Sequence, residues 1–142
     1  MDTIIIAYWT QTGNTKAMAE AVGEGVETAG KKADVRHISE VSMDRLREAQ
    51  AFALGCPAMG AEVLEEGEFE PFFAALEGKL SGKKVALFGS YGWGDGQWMR
   101  EWQERTEKAG AVLCGEGLIV NEAPDEAGLE SCRALGARLA SA

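Results

Sequence analysis

Apolar runs and helical periodicities alternate from end to end of this 142-residue chain. That alternation predicts an α/β fold, a three-layer sandwich in which helices cover both faces of a parallel sheet. Two further observations agree. The run Ala51-Phe52-Ala53-Leu54-Gly55 is apolar on both faces, as a central parallel strand must be. The turn after the first strand is rich in hydroxyls, and it lies where such sheets bind ligands, outside the carboxyl ends of the strands.

The elements follow in order. Ile4-Ile5-Ile6-Ala7-Tyr8-Trp9 is the first strand. The helix after it places Met18, Ala21, Val22, Gly25, Val26 and Ala29 on one face at the helical spacing. Residues 33–38 read as the second strand, residues 43–47 as a short helix, and residues 51–55 as the third strand. Phe69, Phe72, Phe73 and Leu76 mark a helix begun by acidic residues and Pro71, as helix starts prefer. Val85-Ala86-Leu87-Phe88 is the fourth strand; a helix over about 97–109 and a strand region over 111–120 come next, and the last helix starts after Pro124.

Composition bounds the function. The uniform composition fits one domain over residues 1–142, and 46% hydrophobic residues are those of a soluble globular protein. A net charge of −9 argues against nucleic acid and anionic membrane surfaces, and favours basic partners. The start, Met1-Asp2-Thr3, lacks the basic region of a signal peptide, and no apolar run reaches membrane-spanning length. Cys56, Cys114 and Cys132 form an odd set without C-x-x-C spacing, which fits a reduced, cytoplasmic protein. His37, the only histidine, is placed mid-strand and read as structural, so no metal site and no Ser-His-Asp triad is expected. Cys56 reads as a small buried filler; Glu62 stands six residues after it, where a thiol phosphatase loop would need an arginine.

Three loops carry the chemistry. In Thr10-Gln11-Thr12-Gly13-Asn14-Thr15, three hydroxyls, a glycine and an amide crowd the point where a helix presents its free N–H groups. A plain cap needs one such residue. Without lysine or arginine inside it, this loop suits a phosphate monoester held by hydrogen bonds. The second loop is Gly55-Cys56-Pro57-Ala58-Met59-Gly60-Ala61-Glu62 and the third is Gly89-Ser90-Tyr91-Gly92-Trp93-Gly94-Asp95-Gly96. Four glycines interleaved with Tyr91 and Trp93 make sense if backbone approaches a flat ligand on which a ring stacks. Met59 offers a thioether for the other face, and Glu62 an acceptor for an imide N–H. A phosphate, a flat heteroaromatic body and an N–H edge together describe flavin mononucleotide, FMN.

On residues Tyr8 to Thr15, Ala58 to Glu62 and Ser90 to Gly96, the chain resembles a flavodoxin, of the short-chain type found in anaerobic bacteria. The 111–120 region leaves no room for the insertion of the long-chain branch. The resemblance implies a flavodoxin-like sandwich with a five-stranded parallel sheet in the order 2-1-3-4-5 and one tightly bound FMN. By matching position, Thr10, Thr12, Asn14 and Thr15, with Gln11 and the backbone around Gly13, would hold the phosphate. Pro57, Ala58, Met59 and Gly60 would form the second wall, with Met59 and Trp93 flanking the ring and Glu62 accepting from its N3. Ser90, Tyr91, Gly92 and Gly94 would lie on the ribityl side, Tyr91 by its backbone rather than its ring. Gln11 and Lys16 depart from the usual pattern, and Lys16 could add attraction to the phosphate.

The implied role is a low-potential one-electron carrier, shuttling between semiquinone and hydroquinone for reductases and oxidoreductases with basic docking patches. It would be a monomer without a substrate of its own. A turnover of the Met59–Gly60 peptide would let the Met59 carbonyl accept from flavin N5, and the carboxylates of Glu62, Glu65, Glu66, Glu68, Glu70 and Asp95 would disfavour an anionic reduced flavin. For Glu68 and Glu70 the favoured reading is an ordinary solvated helix start. The rival readings are an FMN-dependent NAD(P)H or quinone reductase and a ribonucleotide-reductase-activating flavoprotein. A signalling receiver domain fails, since Thr10-Gln11-Thr12 and Gly55-Cys56 stand where its acidic residues belong. Trp98 and Trp102, four apart, read as the packing face of a helix.

Overall fold

Alternate residues of the first strand part to opposite sides, and the two helical layers follow from that. Ile4, Ile6 and Tyr8 enter one hydrophobic core, Ile5 and Ala7 the other. This is seen in a computed structural model, which describes residues 3–59, 63–92 and 94–142. Strands β1 (Thr3–Tyr8), β2 (Lys32–His37), β3 (Ala51–Gly55) and β4 (Lys84–Tyr91) pair in parallel in the order β2-β1-β3-β4. The fifth position beside β4 is filled by two short pieces, β5 (Val112–Leu113) and β6 (Leu118–Asn121), both parallel to it. The order is therefore the 2-1-3-4-5 that the resemblance implies.

Helices α1 (Asn14–Thr28) and α5 (Glu126–Ala140) cover the first face, burying Met18, Val22, Val26, Leu135 and Leu139 against it. Helices α2 (Met43–Glu48), α3 (Phe69–Glu77) and α4 (Gln97–Lys108) cover the second with Leu46, Phe69, Phe73, Trp98 and Trp102. The two tryptophans are packing residues, as their spacing suggests. Among the described residues no helix is long and apolar enough to cross a membrane.

The helices α1 and α5 touch backbone to backbone. A Cβ on Gly25 would collide with the carbonyl oxygen of Arg133, and one on Gly136 with that of Val22. Arg133 of α5 then reaches across to Glu24 of α1 at 3.0 Å while pairing with Glu126 and Glu130 of its own helix at 3.1 and 2.9 Å.

Four details depart from the sequence reading. β1 stops at Tyr8, although the Trp9 N–H still donates to the Gly55 carbonyl at 3.0 Å. β2 begins and ends one residue early, so His37 is its last residue and not mid-strand; its Nδ1 accepts from the Ser39 N–H at 3.1 Å and caps a short 3₁₀ turn over Ile38–Glu40. β4 runs on to Tyr91 because β6 supplies partners for its polar end. The 111–120 region is not one strand: Val85 stands opposite Leu113 but Phe88 opposite Leu118, so the outer chain carries extra residues that bulge out through Gly115 at φ +82°.

Candidate functional site

The carboxyl ends of β1, β3, β4 and β6 open at one end of the sheet, and each loop there is built locally. In the first, Gly13 takes the cap position of α1 at φ +95°, a backbone geometry that disfavours side chains. The first backbone bond of the helix runs from the Ala17 N–H to the Gly13 carbonyl at 3.0 Å. The N–H groups of residues 14–16 therefore precede any carbonyl of their own helix and face out of its positive end. The first turn holds no acidic residue to compensate that end. Thr10 Oγ1 accepts from the Gly13 N–H at 3.0 Å and closes the loop on itself. Thr15 Oγ1 lies 3.1 Å from Ser90 Oγ, a buried hydroxyl pair that joins this loop to the end of β4.

Beyond β3 the second loop keeps following β4, with the Cys56 N–H donating to Phe88 and the Ala58 N–H to Ser90 at 3.1 and 3.0 Å. Met59 and Val63 exchange backbone bonds: the Met59 N–H donates at 2.9 Å, and the Met59 carbonyl accepts at 3.2 Å. Cys56 is buried, as expected of a filler, and burial pushes its thiol far above the ordinary range, so it is no nucleophile. Its Sγ accepts from the Glu65 N–H.

The acidic segment that follows is more occupied than its sequence implies. The Glu65 carboxylate accepts from the N–H groups of Gly67, Glu68 and Phe69 at 2.8, 2.7 and 2.8 Å. Burial alone would raise its pKa, but those three donors outweigh it and hold the carboxyl below its usual range. Glu68 Oε1 accepts from Trp9 Nε1 at 2.7 Å, and Glu70 pairs with Arg105, which also holds Glu77. Neither Glu68 nor Glu70 is a merely solvated helix start.

In the third loop Arg100 holds Asp95 twice, donating to its carbonyl at 2.9 Å and its carboxylate at 3.0 Å. Trp98 Nε1 donates to the Cys56 carbonyl at 3.2 Å, tying α4 to the second loop. Gly89 has a different purpose from the one its loop suggested. It belongs to β4, and a Cβ there would strike the Cys56 carbonyl oxygen, so it serves strand packing.

These loops enclose a cavity of about 410 Å³ lined by Thr10, Gln11, Thr12, Asn14, Thr15, Pro57, Ala58, Ser90, Tyr91, Gly92, Glu122 and Ala123. The volume is that of a small-molecule site. Ten of the residues proposed from sequence are thus brought to one surface. Gly13 shapes the first loop, while Met59 and Gly94 lie in the flanking loops and do not line the cavity. Gly60, Glu62 and Trp93 fall outside the described residues. Lys16 is exposed and does not line the cavity, and no lining residue is a lysine or arginine. Glu122 and Ala123 were not anticipated. Glu122 has φ +55°, alone among the described non-glycine residues in being left-handed, and its N–H donates to the Tyr91 carbonyl at 2.7 Å. The signal was topological: they follow the last strand, at the same sheet end as the other loops.

Comparison with known proteins agrees with this architecture. The family model described as Flavodoxin matches residues 6–136. The flavodoxin of Clostridium beijerinckii is 49% identical over 136 residues, 96% of this chain and 98% of that one. The flavodoxin of Megasphaera elsdenii is 47% identical over 137 residues, again 96% and 98% of the two chains. The solution structure of two-electron reduced Megasphaera elsdenii flavodoxin superposes with a TM-score of 0.90, covering 98% of this chain and 99% of that one. A match over nearly all of the sequence settles the family. The chain belongs to the flavodoxins, in their short-chain form.

Proposed function

We infer that this chain carries single electrons on bound FMN and delivers them to redox partner proteins. The observation that carries the reading is the cavity itself: hydroxyls and an uncompensated helix N-terminus at one end, no lining cation, and an apolar and aromatic wall beside them. The donor set fits the cofactor. Thr10, Thr12, Asn14 and Thr15, with Gln11 and the backbone N–H groups that follow Gly13, would hold the phosphate through N–H and O–H donors. Pro57 and Ala58 form one side and Ser90, Tyr91 and Gly92 the other, with Met59 and Gly94 in the flanking loops. By the resemblance Gly60, Glu62 and Trp93 would also contact the cofactor; they lie outside the described residues. Bound FMN supplies the capacity to take up and release one electron at a time.

The protein's share is to hold the cofactor, exclude water from one side of it and set the surrounding charge. The formal charge of −9 favours a low potential and basic docking patches on the partners. The same reading takes the chain as a single-domain monomer working in the cytoplasm. Reconstitution with FMN followed by reductive titration tests it: two separated one-electron steps are expected, and NADPH without an added reductase leaves the protein oxidised. Direct bleaching by NADPH would make it a reductase instead.

A further inference from the structure

Among the described residues, side-chain hydrogen bonds tie the segments around the cavity to one another. Thr15 to Ser90 joins the first loop to the end of β4, and Trp98 to the Cys56 carbonyl joins α4 to the second loop; both are buried. The bond between the first loop and the chain leaving the second is Trp9 Nε1 to Glu68 Oε1 at 2.7 Å, and it is exposed. We propose that this bond is a clasp that fixes the cofactor loop at Thr10 against the segment after Val63, which makes Trp9 and Glu68 positioning residues for FMN retention. The proposal rests on the FMN reading of the cavity.

Two features show that the bond is built into the fold. Glu68 occupies the cap position of α3, yet its carboxylate makes no cap bond; Glu65 performs the capping, and Glu68 is turned to Trp9 instead. Trp9 is already fixed through its backbone N–H to Gly55, and its ring packs against the core beneath α2, α3 and α4. A second tether through the indole leaves the start of the 10–13 loop little freedom. Since the donor faces a carboxylate, the bond belongs to the stronger, charge-assisted class.

A purely electrostatic role for Glu68 predicts the opposite sign. If the carboxylate acted only as a nearby negative charge, removing it would reduce repulsion of the FMN phosphate and slow cofactor loss. The experiment follows FMN release from the holoprotein by the rise of free-flavin fluorescence, in wild type, Glu68→Ala, Glu68→Gln, Trp9→Phe and the Trp9→Phe/Glu68→Ala double variant. Glu68→Ala and Trp9→Phe should each release FMN about three- to tenfold faster, the factor for losing about 0.7–1.4 kcal/mol. The double variant should be no faster than the quicker single one, because both break one bond. Glu68→Gln keeps an acceptor oxygen and should stay within about twofold of wild type. Urea unfolding of the apoproteins separates loop positioning from general stability, and the midpoints should nearly coincide.

The clasp is overturned if Glu68→Ala releases FMN at or below the wild-type rate, if Glu68→Gln departs as far as Glu68→Ala, or if the two single effects multiply in the double variant. A wild-type chain that binds no FMN overturns the cavity reading, and the clasp with it. Normal wild-type binding with unchanged variants overturns the clasp alone.

Discussion

At the start of α3 the capping carboxylate belongs to Glu65, three residues upstream of Glu68, which holds the cap position itself. The backbone between them turns so that one carboxylate meets three N–H donors, a stronger arrangement than the single bond of an ordinary cap. Glu65→Ala should destabilise the protein by about 1–2 kcal/mol at neutral pH, read as a lower urea midpoint. The pH dependence has a definite sign. The folded-state pKa of Glu65 lies below its unfolded value, so its contribution is present above the unfolded value and disappears as pH falls through the folded one. The gap between wild type and Glu65→Ala should therefore narrow on acidification; a constant gap from neutral pH into the acid range would exclude the capping role. None of this was legible in the run from Glu62 to Glu70, where five glutamates look alike. Their separate duties depend on which donors each can reach after folding. The first loop was legible because its chemistry is local: three hydroxyls, Gly13 and Asn14 meet a helix N-terminus whatever the rest of the chain does.

Among the elements, the pair α1 and α5 is the most demanding in shape. Each contributes a glycine at the point where the other's backbone passes, Gly25 against Arg133 and Gly136 against Val22. Gly136→Ala adds a methyl group where a carbonyl oxygen already lies, and the helices can admit it only by separating. An overpacking cost of about 1–3 kcal/mol is expected, measured as a fall in unfolding free energy. Because α1 also carries the cofactor loop at its N-terminus, the same variant should bind FMN more weakly although Gly136 lies outside the cavity lining. Unchanged stability would show that the two helices can part freely. Sequence periodicity placed Gly25 on the apolar face of its helix, but it could not say that the neighbour there was backbone. The strands were read well where apolar runs are continuous, as in β1 and β3. They were read less well where pairing is made by polar residues such as Ser90 and Asn121, since only the partner strand makes those residues a strand.

Across the whole molecule, the proposed function gives the charge of −9 a role in steering basic partners. Raising ionic strength from about 0.01 to 0.15 M shortens the screening length from roughly 30 to 8 Å, so electron-transfer association rates with a basic partner should fall steeply in stopped-flow measurements. A rate indifferent to salt would remove charge steering from the account. The field is less one-sided than composition suggests, because Arg105 holds Glu70 and Glu77, and Arg100 holds Asp95. The interrupted outer edge of the sheet has a bearing of a different kind. A sheet of parallel strands ends in two rows of backbone groups that a second chain could extend. Here one row is cut into the short pieces β5 and β6 by the bulge at Gly115, so no straight ladder of useful length is on offer. The other, β2, displays Lys32 and Arg36, with Asp34 bound to Arg36 and Arg45. Neither edge therefore offers a long, bare strand for strand-to-strand adhesion to another chain.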